Sequence, residues 1–253
     1  MDDLVIELRV FWAVLGLFLA YLFGSLNTAR IFVFLTRQKG ILETGTGNAG
    51  ANNVWRVYGK KYGGLVGALA GMTIMLMDTG KGVLIIYLAR DIFGFSEVLA
   101  LAGGIAGMTG HNWPFFRLTK LRGGKGIAIL GGILLMLHPV STAVVLMPSL
   151  GLALITRISR GMIKKQLSGL VPFVGIPVYI LANLVIQKAG IEHLDLGTMS
   201  PEIVYMLFAV LPLIYFRRID AEWLTLEKQP SRLKALWYLL IYDRATNDTP
   251  KLF

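Results

Sequence analysis

Two short polar, glycine-rich stretches stand out in a chain that is otherwise mostly apolar. The first is Glu43–Arg56, and the second is Arg122–Gly126, with the one-letter sequence RGGKG. Glycines let a ligand approach the backbone closely, and free N–H groups beside Thr, Asn and Arg side chains suit an anion. A lysine next to glycines adds a point charge that suits phosphate. The pattern predicts that the two stretches, from different loops, enclose one phosphate-bearing ligand at a membrane surface.

The first stretch contains a match to a nucleotide-binding pattern, but its context does not fit. Residues 45–50 match G-x-G-x-x-G, yet no strand precedes them and no Asp or Glu lies about 20 residues further on. A Walker A loop is excluded because no Gly-Lys-Ser/Thr follows. The remaining alternatives are a flexible cytoplasmic linker and an anion-binding loop. The nearby Asn48, Asn52, Asn53 and Arg56 favour the anion-binding loop.

Three ionisable residues interrupt apolar runs. Asp78 and Lys81 are three positions apart, so a helix places them on the same side. Such groups within a span usually face the protein interior or a polar cavity, which leaves a structural ion pair and a ligand contact as alternatives. His111 precedes Pro114, which predicts a helix end there, and is either a cap or a functional residue. The three histidines show no metal-site spacing and cysteine is absent, so no metal site is expected.

The composition is that of an integral membrane protein. Of 253 residues, 55% are hydrophobic and 16% are charged, whereas soluble domains carry about 25% charged residues. Apolar runs of the ~20 residues that cross a bilayer recur along the chain. In such a protein the distribution of the +10 net charge matters more than its total, so nucleic acid is not an expected partner.

Seven apolar segments are predicted as helices. The fourth is shorter than the ~17 residues that a span requires, and Pro139 separates it from the fifth. These two are therefore alternatively one bent element or two half-buried helices. The seven segments are Phe11–Phe34, Leu65–Leu88, Val98–Trp113, Ile127–Leu137, Ser141–Ile155, Leu167–Ile186 and Ile203–Phe216.

The basic residues predict the topology. With the N-terminus outside and seven spans, all but four of the 25 Lys and Arg residues lie in inside segments, as the positive-inside rule requires. We therefore predict an all-α integral membrane protein with seven transmembrane helices and a cytoplasmic C-terminus. Residues 1–217 would form one membrane domain. Residues 218–253 would form a cytoplasmic tail, whose short apolar patch Ala235–Tyr242 suits an interfacial helix.

The order of several motifs resembles the PlsY family of bacterial acyl-phosphate:glycerol-3-phosphate acyltransferases. The resemblance covers about residues 18–130 and is more specific than any one motif. Its motifs are Gly24-Ser25, Gly45-Thr46-Gly47-Asn48 with Asn53 and Arg56, Tyr58–Gly63, Asp78-x-x-Lys81-Gly82, Gly110-His111-x-x-Pro114 and Gly123-Gly124-Lys125-Gly126.

The resemblance implies a reaction and a location. An acyl group would move from acyl phosphate to the 1-hydroxyl of glycerol 3-phosphate, giving lysophosphatidic acid and phosphate for phospholipid synthesis. The resemblance implies that no metal, coenzyme A or carrier protein is required, and the substrate's own phosphate is the candidate base. The protein would lie in the bacterial plasma membrane with a seven-helix fold and an active site that faces the cytoplasm.

The resemblance also implies the site residues. Thr46, Arg56 and Lys125 would line the phosphate site, with Thr46 keeping the hydroxyl of the family's serine. His111 is a further catalytic candidate. The expected substrate- or phosphate-binding residues are Gly45, Gly47, Asn48, Asn53, Lys81, Gly123, Gly124, Gly126 and Arg217.

The last predicted span departs from the family pattern. Its histidine and asparagine positions hold Arg217 and Asp220 here, and Arg217 would supply the charge of the missing histidine. A different donor or acceptor, or a member without activity, are the alternatives within the family. Outside it, the alternative is a membrane binding or transport protein for a phosphorylated lipid or small anion. Transporters usually show polar breaks in two corresponding halves, whereas the polar segments here gather at one face.

Overall fold

The described part of the chain is entirely helical. A computed structural model of the protein describes residues 2–38, 49–115 and 123–137, with single positions at Pro139, Thr142, Leu181, Val185 and Ser231. No strand occurs in these ranges, in agreement with the all-α prediction. The helices are α1 (Asp2–Ser25), α2 (Thr28–Leu35), α3 (Ala51–Tyr62), α4 (Gly64–Tyr87, followed by a π-helical turn at Leu88–Ile92), α5 (Glu97–Asn112) and α6 (Ile127–Leu137).

Two of the described helices are long and apolar enough to cross a membrane, namely Leu4–Ser25 and Gly64–Ile92. The second, third and fourth predicted segments correspond to α4, α5 and α6, each to within one residue at either end. The α5 helix ends at Asn112, close to Pro114 as predicted. The fifth, sixth and seventh predicted segments lie outside the described residues except at single positions, so the count of seven spans stays a prediction.

The first apolar segment is not one helix, and this part of the prediction was wrong. Instead of a single element over Phe11–Phe34, α1 ends at Ser25 and a separate α2 begins at Thr28. Asn27 causes the restart because its side chain accepts a hydrogen bond from the backbone N–H of Arg30 at 3.0 Å and thereby caps α2. Hydropathy alone does not detect this break, since apolar residues continue on both sides.

The polar stretch Glu43–Arg56 is also not a loop throughout. Its last part belongs to α3, which begins after Gly50, whose carbonyl accepts hydrogen bonds from the N–H groups of Asn53 and Val54. The helix is amphipathic, with Asn53, Val54 and Tyr58 buried on one face. Arg56 therefore projects from a helix and not from a flexible segment.

An apolar cluster joins α2, α3 and α4. Its buried members are Ala29, Val33, Ala49, Val54, Tyr58, Ala70 and Ile74. Elsewhere in the described part of the chain, glycines let helices approach closely, as is common in membrane bundles. A Cβ on Gly24 of α1 would overlap the carbonyl of Gly107 in α5, and a Cβ on Gly82 of α4 would overlap the carbonyl oxygen of Ile129 in α6. These glycines therefore allow α1 to pack closely on α5 and α4 to pack closely on α6.

The chain divides into two compact units. The first holds residues 1–136 and 252–253, and the second is Leu137–Lys251. All the contacts described below lie within the first unit. The second is described only at Leu137 and at the single positions given above. The predicted boundary between residues 217 and 218 lies outside the described residues and stays a prediction.

Candidate active site

A buried polar cluster lies where α2, α4 and α5 meet. The Asp78 carboxylate in α4 accepts a hydrogen bond from Thr28 Oγ1 in α2 at 2.5 Å and one from Lys81 Nζ at 3.1 Å. The imidazole Nδ1 of His111, at the end of α5, lies 3.8 Å from the same carboxylate oxygen. All four side chains are buried. The ion pair that the spacing of Asp78 and Lys81 allowed is therefore present, and three helices share it.

Lys81 also fixes the break between the first two helices. Its ammonium group donates a hydrogen bond to the backbone carbonyl of Leu26, the residue between α1 and α2. A carbonyl at a helix end has no partner within its own helix and needs one from elsewhere when it is buried. Lys81 therefore supports the backbone at a helix end and compensates Asp78. Its predicted contact with a substrate phosphate stays a prediction.

The second glycine-rich stretch packs directly on the end of α5. The N–H of Gly124 donates to the carbonyl of His111 at 3.2 Å, and a Cβ on Gly124 would overlap Nε2 of the same histidine. A Cβ on Gly123 would lie 2.5 Å from the carbonyl oxygen of Asn112. Gly126 has φ +77°, a conformation that favours glycine. Residues 123–126 thus bring the half-buried Lys125 next to the His111 end of α5.

The structure brings some of the predicted site residues together. His111, Lys81, Gly123, Gly124 and Gly126 lie in or against one set of contacts. Asn53 and Arg56 lie on α3, where Asn53 is buried and Arg56 is exposed. The predicted residues Gly45, Thr46, Gly47, Asn48 and Arg217 lie outside the described residues.

Three polar contributors to this region were not among the predicted site residues. Thr28 bonds Asp78, and Tyr21 donates from its hydroxyl to the carbonyl of Trp113 at 2.9 Å, which ties α1 to the segment after α5. Asn112 is 1% exposed, and among the described residues neither polar atom of its side chain has a hydrogen-bond partner. Buried amides are normally hydrogen-bonded, so Asn112 is an additional candidate for contact with substrate. In the sequence, the position of Asn112 next to His111 was the observation that could have identified it as a site residue.

The chemistry that this arrangement supports is binding and orientation. The described residues contain no group of three or more His, Cys, Asp or Glu side chains that would hold a metal ion. They offer a lysine on a glycine segment, a histidine beneath it and a buried carboxylate that contacts the histidine. Such an arrangement can hold an anion and stabilise charge that develops on it.

Comparison with known proteins agrees with these features. The family model described as glycerol-3-phosphate acyltransferase matches residues 14–221. The chain is 37% identical over 204 residues to a glycerol-3-phosphate acyltransferase of Thermoanaerobacter sp. (strain X514), which covers 75% of this chain and 95% of that protein.

Two crystal structures of PlsY (YgiH), an integral membrane glycerol 3-phosphate acyltransferase, resemble the fold. The glycerol 3-phosphate form has a TM-score of 0.58 at 26% sequence identity, and the match covers 82% of this chain and 88% of that chain. The lysophosphatidic acid form has a TM-score of 0.57 with the same identity and coverage. Together with the relatives and the match over most of its length, this likeness shows that the chain belongs to the glycerol-3-phosphate acyltransferase family, that of PlsY.

Proposed function

We propose that the protein transfers an acyl group from acyl phosphate to the 1-hydroxyl of glycerol 3-phosphate, giving lysophosphatidic acid and phosphate. Membership of the family supports the enzyme class, which is that of a membrane glycerol-3-phosphate acyltransferase. The solved relatives in glycerol 3-phosphate and lysophosphatidic acid forms support the acceptor and the product. The acyl phosphate donor is our proposal. It is supported by the resemblance of the motifs to the PlsY family and by a lysine between glycines, which suits a phosphate group.

The reaction requires little covalent chemistry from the protein. The hydroxyl oxygen of glycerol 3-phosphate forms a bond to the acyl carbonyl carbon, and the bond between that carbon and the phosphate oxygen breaks. The hydroxyl proton passes to a phosphate oxygen of the substrates. Because acyl phosphate is already activated, orientation of the two substrates and stabilisation of the developing negative charge supply the catalysis.

The proposed roles of the residues follow from their chemistry. Lys125, Arg56 and Thr46 bind phosphate oxygens, together with backbone N–H groups of the two glycine-rich stretches. His111, Asn48 and Asn53 orient those stretches or the substrate. Arg217 supplies positive charge from the last span. The position of Lys125, on a segment packed against His111, supports this assignment most directly.

The proposed topology places this site at the cytoplasmic face of a bacterial plasma membrane. Seven spans with an outside N-terminus satisfy the distribution of Lys and Arg. The acyl chain would occupy a groove between helices that opens to the bilayer, while glycerol 3-phosphate enters from the cytoplasm.

The test is phosphate release from palmitoyl phosphate by protein purified in detergent, with and without glycerol 3-phosphate. Release that depends on glycerol 3-phosphate, together with formation of lysophosphatidic acid, is the expected result. Release without that dependence would contradict the proposed acceptor. No release with any acceptor would contradict the proposed donor and favour a binding or transport role for a phosphorylated lipid.

A further inference from the structure

We propose that Asp78 is a positioning residue that acts through His111 on the Gly123–Gly126 segment and thereby places Lys125. This inference rests on the proposed role of Lys125 in binding phosphate. It assigns a function in catalysis to a buried carboxylate whose described contacts are with Thr28, Lys81 and His111.

The first step is the contact between Asp78 and His111. One carboxylate oxygen of Asp78 meets Thr28 Oγ1, Lys81 Nζ and His111 Nδ1, which come from three helices. An ion pair that only neutralised Lys81 would not need the imidazole of another helix nearby. The negative charge faces the Nδ1 edge of the ring and so favours the orientation in which that edge points into the cluster.

The second step is the contact between His111 and the loop. With Nδ1 turned toward Asp78, the opposite Nε2 lies against the backbone of Gly124, where a Cβ would overlap it. The carbonyl of His111 also accepts the N–H of Gly124 at 3.2 Å. Rotation or displacement of the imidazole therefore changes the space available to Gly124, and Lys125 is the next residue.

The test is a double-mutant cycle in a Lys81→Met background. Without this change, Asp78→Asn would leave the Lys81 ammonium group buried without its counter-ion. All four proteins carry Lys81→Met, and they differ by Asp78→Asn and His111→Gln. We measure kcat and the KM for glycerol 3-phosphate, together with the thermal midpoint in detergent. In the K81M background with His111 present, D78N should lower kcat on the order of 100-fold, as a misplaced binding group does.

The proposal is tested by the coupling between the effects of D78N and H111Q on kcat. If Asp78 acts through His111, D78N should cause no further loss of kcat once H111Q is present, because coupled residues are not additive. Independent losses that multiply would overturn the proposal, whatever the thermal midpoints. The matched control is Arg90→Met with Asp91→Asn, in the π-helical turn that follows α4. It removes a solvent-accessible ion pair, with 2.8 Å between Arg90 Nε and Asp91 Oδ1, and should change neither kcat nor KM.

A second pair of variants, which keeps Lys81, tests the same link from the loop side if the first set does not fold or if Lys81→Met alone removes measurable kcat. Gly124→Ala presses on the imidazole and keeps both Asp78 and Lys81 in the chain, and His111→Ser removes the ring that the added methyl group meets. G124A should lower kcat when His111 is present and cause no further loss in H111S. A loss of equal size in both backgrounds would overturn the link.

The variant Lys125→Ala distinguishes a failure of this proposal from a failure of the proposed function. If K125A keeps full activity, the phosphate site is wrongly assigned. If K125A is inactive while the cycles are additive, the phosphate site stands and the positioning role of Asp78 fails.

Discussion

The imidazole of His111 fills the space beside Gly124, so that a Cβ at this glycine would overlap Nε2. Gly124 is therefore required for close packing. Gly126 is required for another reason, since its backbone has φ +77°. The two glycines flank Lys125 and are closely packed, Gly124 against His111 and Gly126 against Met108 and Asn112, so the backbone is fixed on both sides of the lysine. A lysine held in this way loses less freedom when it binds an anion than one on a mobile loop would lose.

Replacement of Lys125 by alanine should remove turnover. The ammonium group is assigned to charge that develops on phosphate, and loss of one such donor lowers kcat by about 100-fold or more. The measurement is phosphate release in detergent, with thermal unfolding to check the fold. Lys60→Ala, at an exposed position of α3, is the matched control and should keep normal kinetics. Full activity of K125A would show that the site is assigned wrongly.

Replacement of Arg56 by lysine should raise the KM for glycerol 3-phosphate roughly tenfold, which corresponds to one lost charge-assisted hydrogen bond. The planar guanidinium binds two phosphate oxygens at once, and lysine does not reproduce that geometry. Because Arg56 is exposed, the thermal midpoint should not change. Arg90→Lys serves as the control. An unchanged KM in R56K would mean that Arg56 contributes only charge or does not contact the substrate.

Replacement of Thr28 by valine should destabilise the protein. The hydroxyl donates to the buried Asp78 carboxylate at 2.5 Å, and loss of a hydrogen bond to a charged group costs about 2 kcal/mol. The free energy of unfolding is measured by titration with a denaturing detergent. Thr73→Val is the control, since this exposed hydroxyl donates a hydrogen bond to the carbonyl of Leu69 in its own helix. Equal stability of the two variants would contradict the importance of the Thr28–Asp78 bond.

Replacement of Gly82 by alanine should weaken the packing of α4 on α6, because the added Cβ would overlap the carbonyl oxygen of Ile129. We expect a lower thermal midpoint and reduced activity. Gly80→Ala lies two positions away on the same helix, and its Cβ would meet no described residue within 4 Å. This control should keep normal activity and should not lower the midpoint. Equal effects at the two positions would point to helix propensity and not to packing.

Features that depend on neighbouring residues in sequence could be predicted. The α6 range Ile127–Leu137 and the end of α5 near Pro114 follow from apolar runs and a helix-breaking residue. The proximity of Asp78 and Lys81 follows from helical spacing. In each case the signal lies within a few residues of the feature that it predicts.

Features that depend on distant contacts could not be predicted from local pattern. The break at Leu26 combines a local cap at Asn27 with Lys81 from another helix. The α3 helix escaped a search for apolar runs because only one of its faces is buried, although Val54 and Tyr58 show helical spacing. The motifs suggested that His111 and the Gly123–Gly126 segment serve one site, but only the structure shows that they touch.

The Asp78–Lys81 pair also has a consequence for how the chain enters the bilayer during synthesis. Thr28 is made before α4 and His111 after it, so the full set of contacts to Asp78 cannot form until α5 has arrived. During that interval the carboxylate and the ammonium group, 3.1 Å apart on one helix, compensate each other. The α4 segment can therefore insert into the bilayer as an almost neutral helix, which lowers the free-energy cost of inserting two ionisable groups.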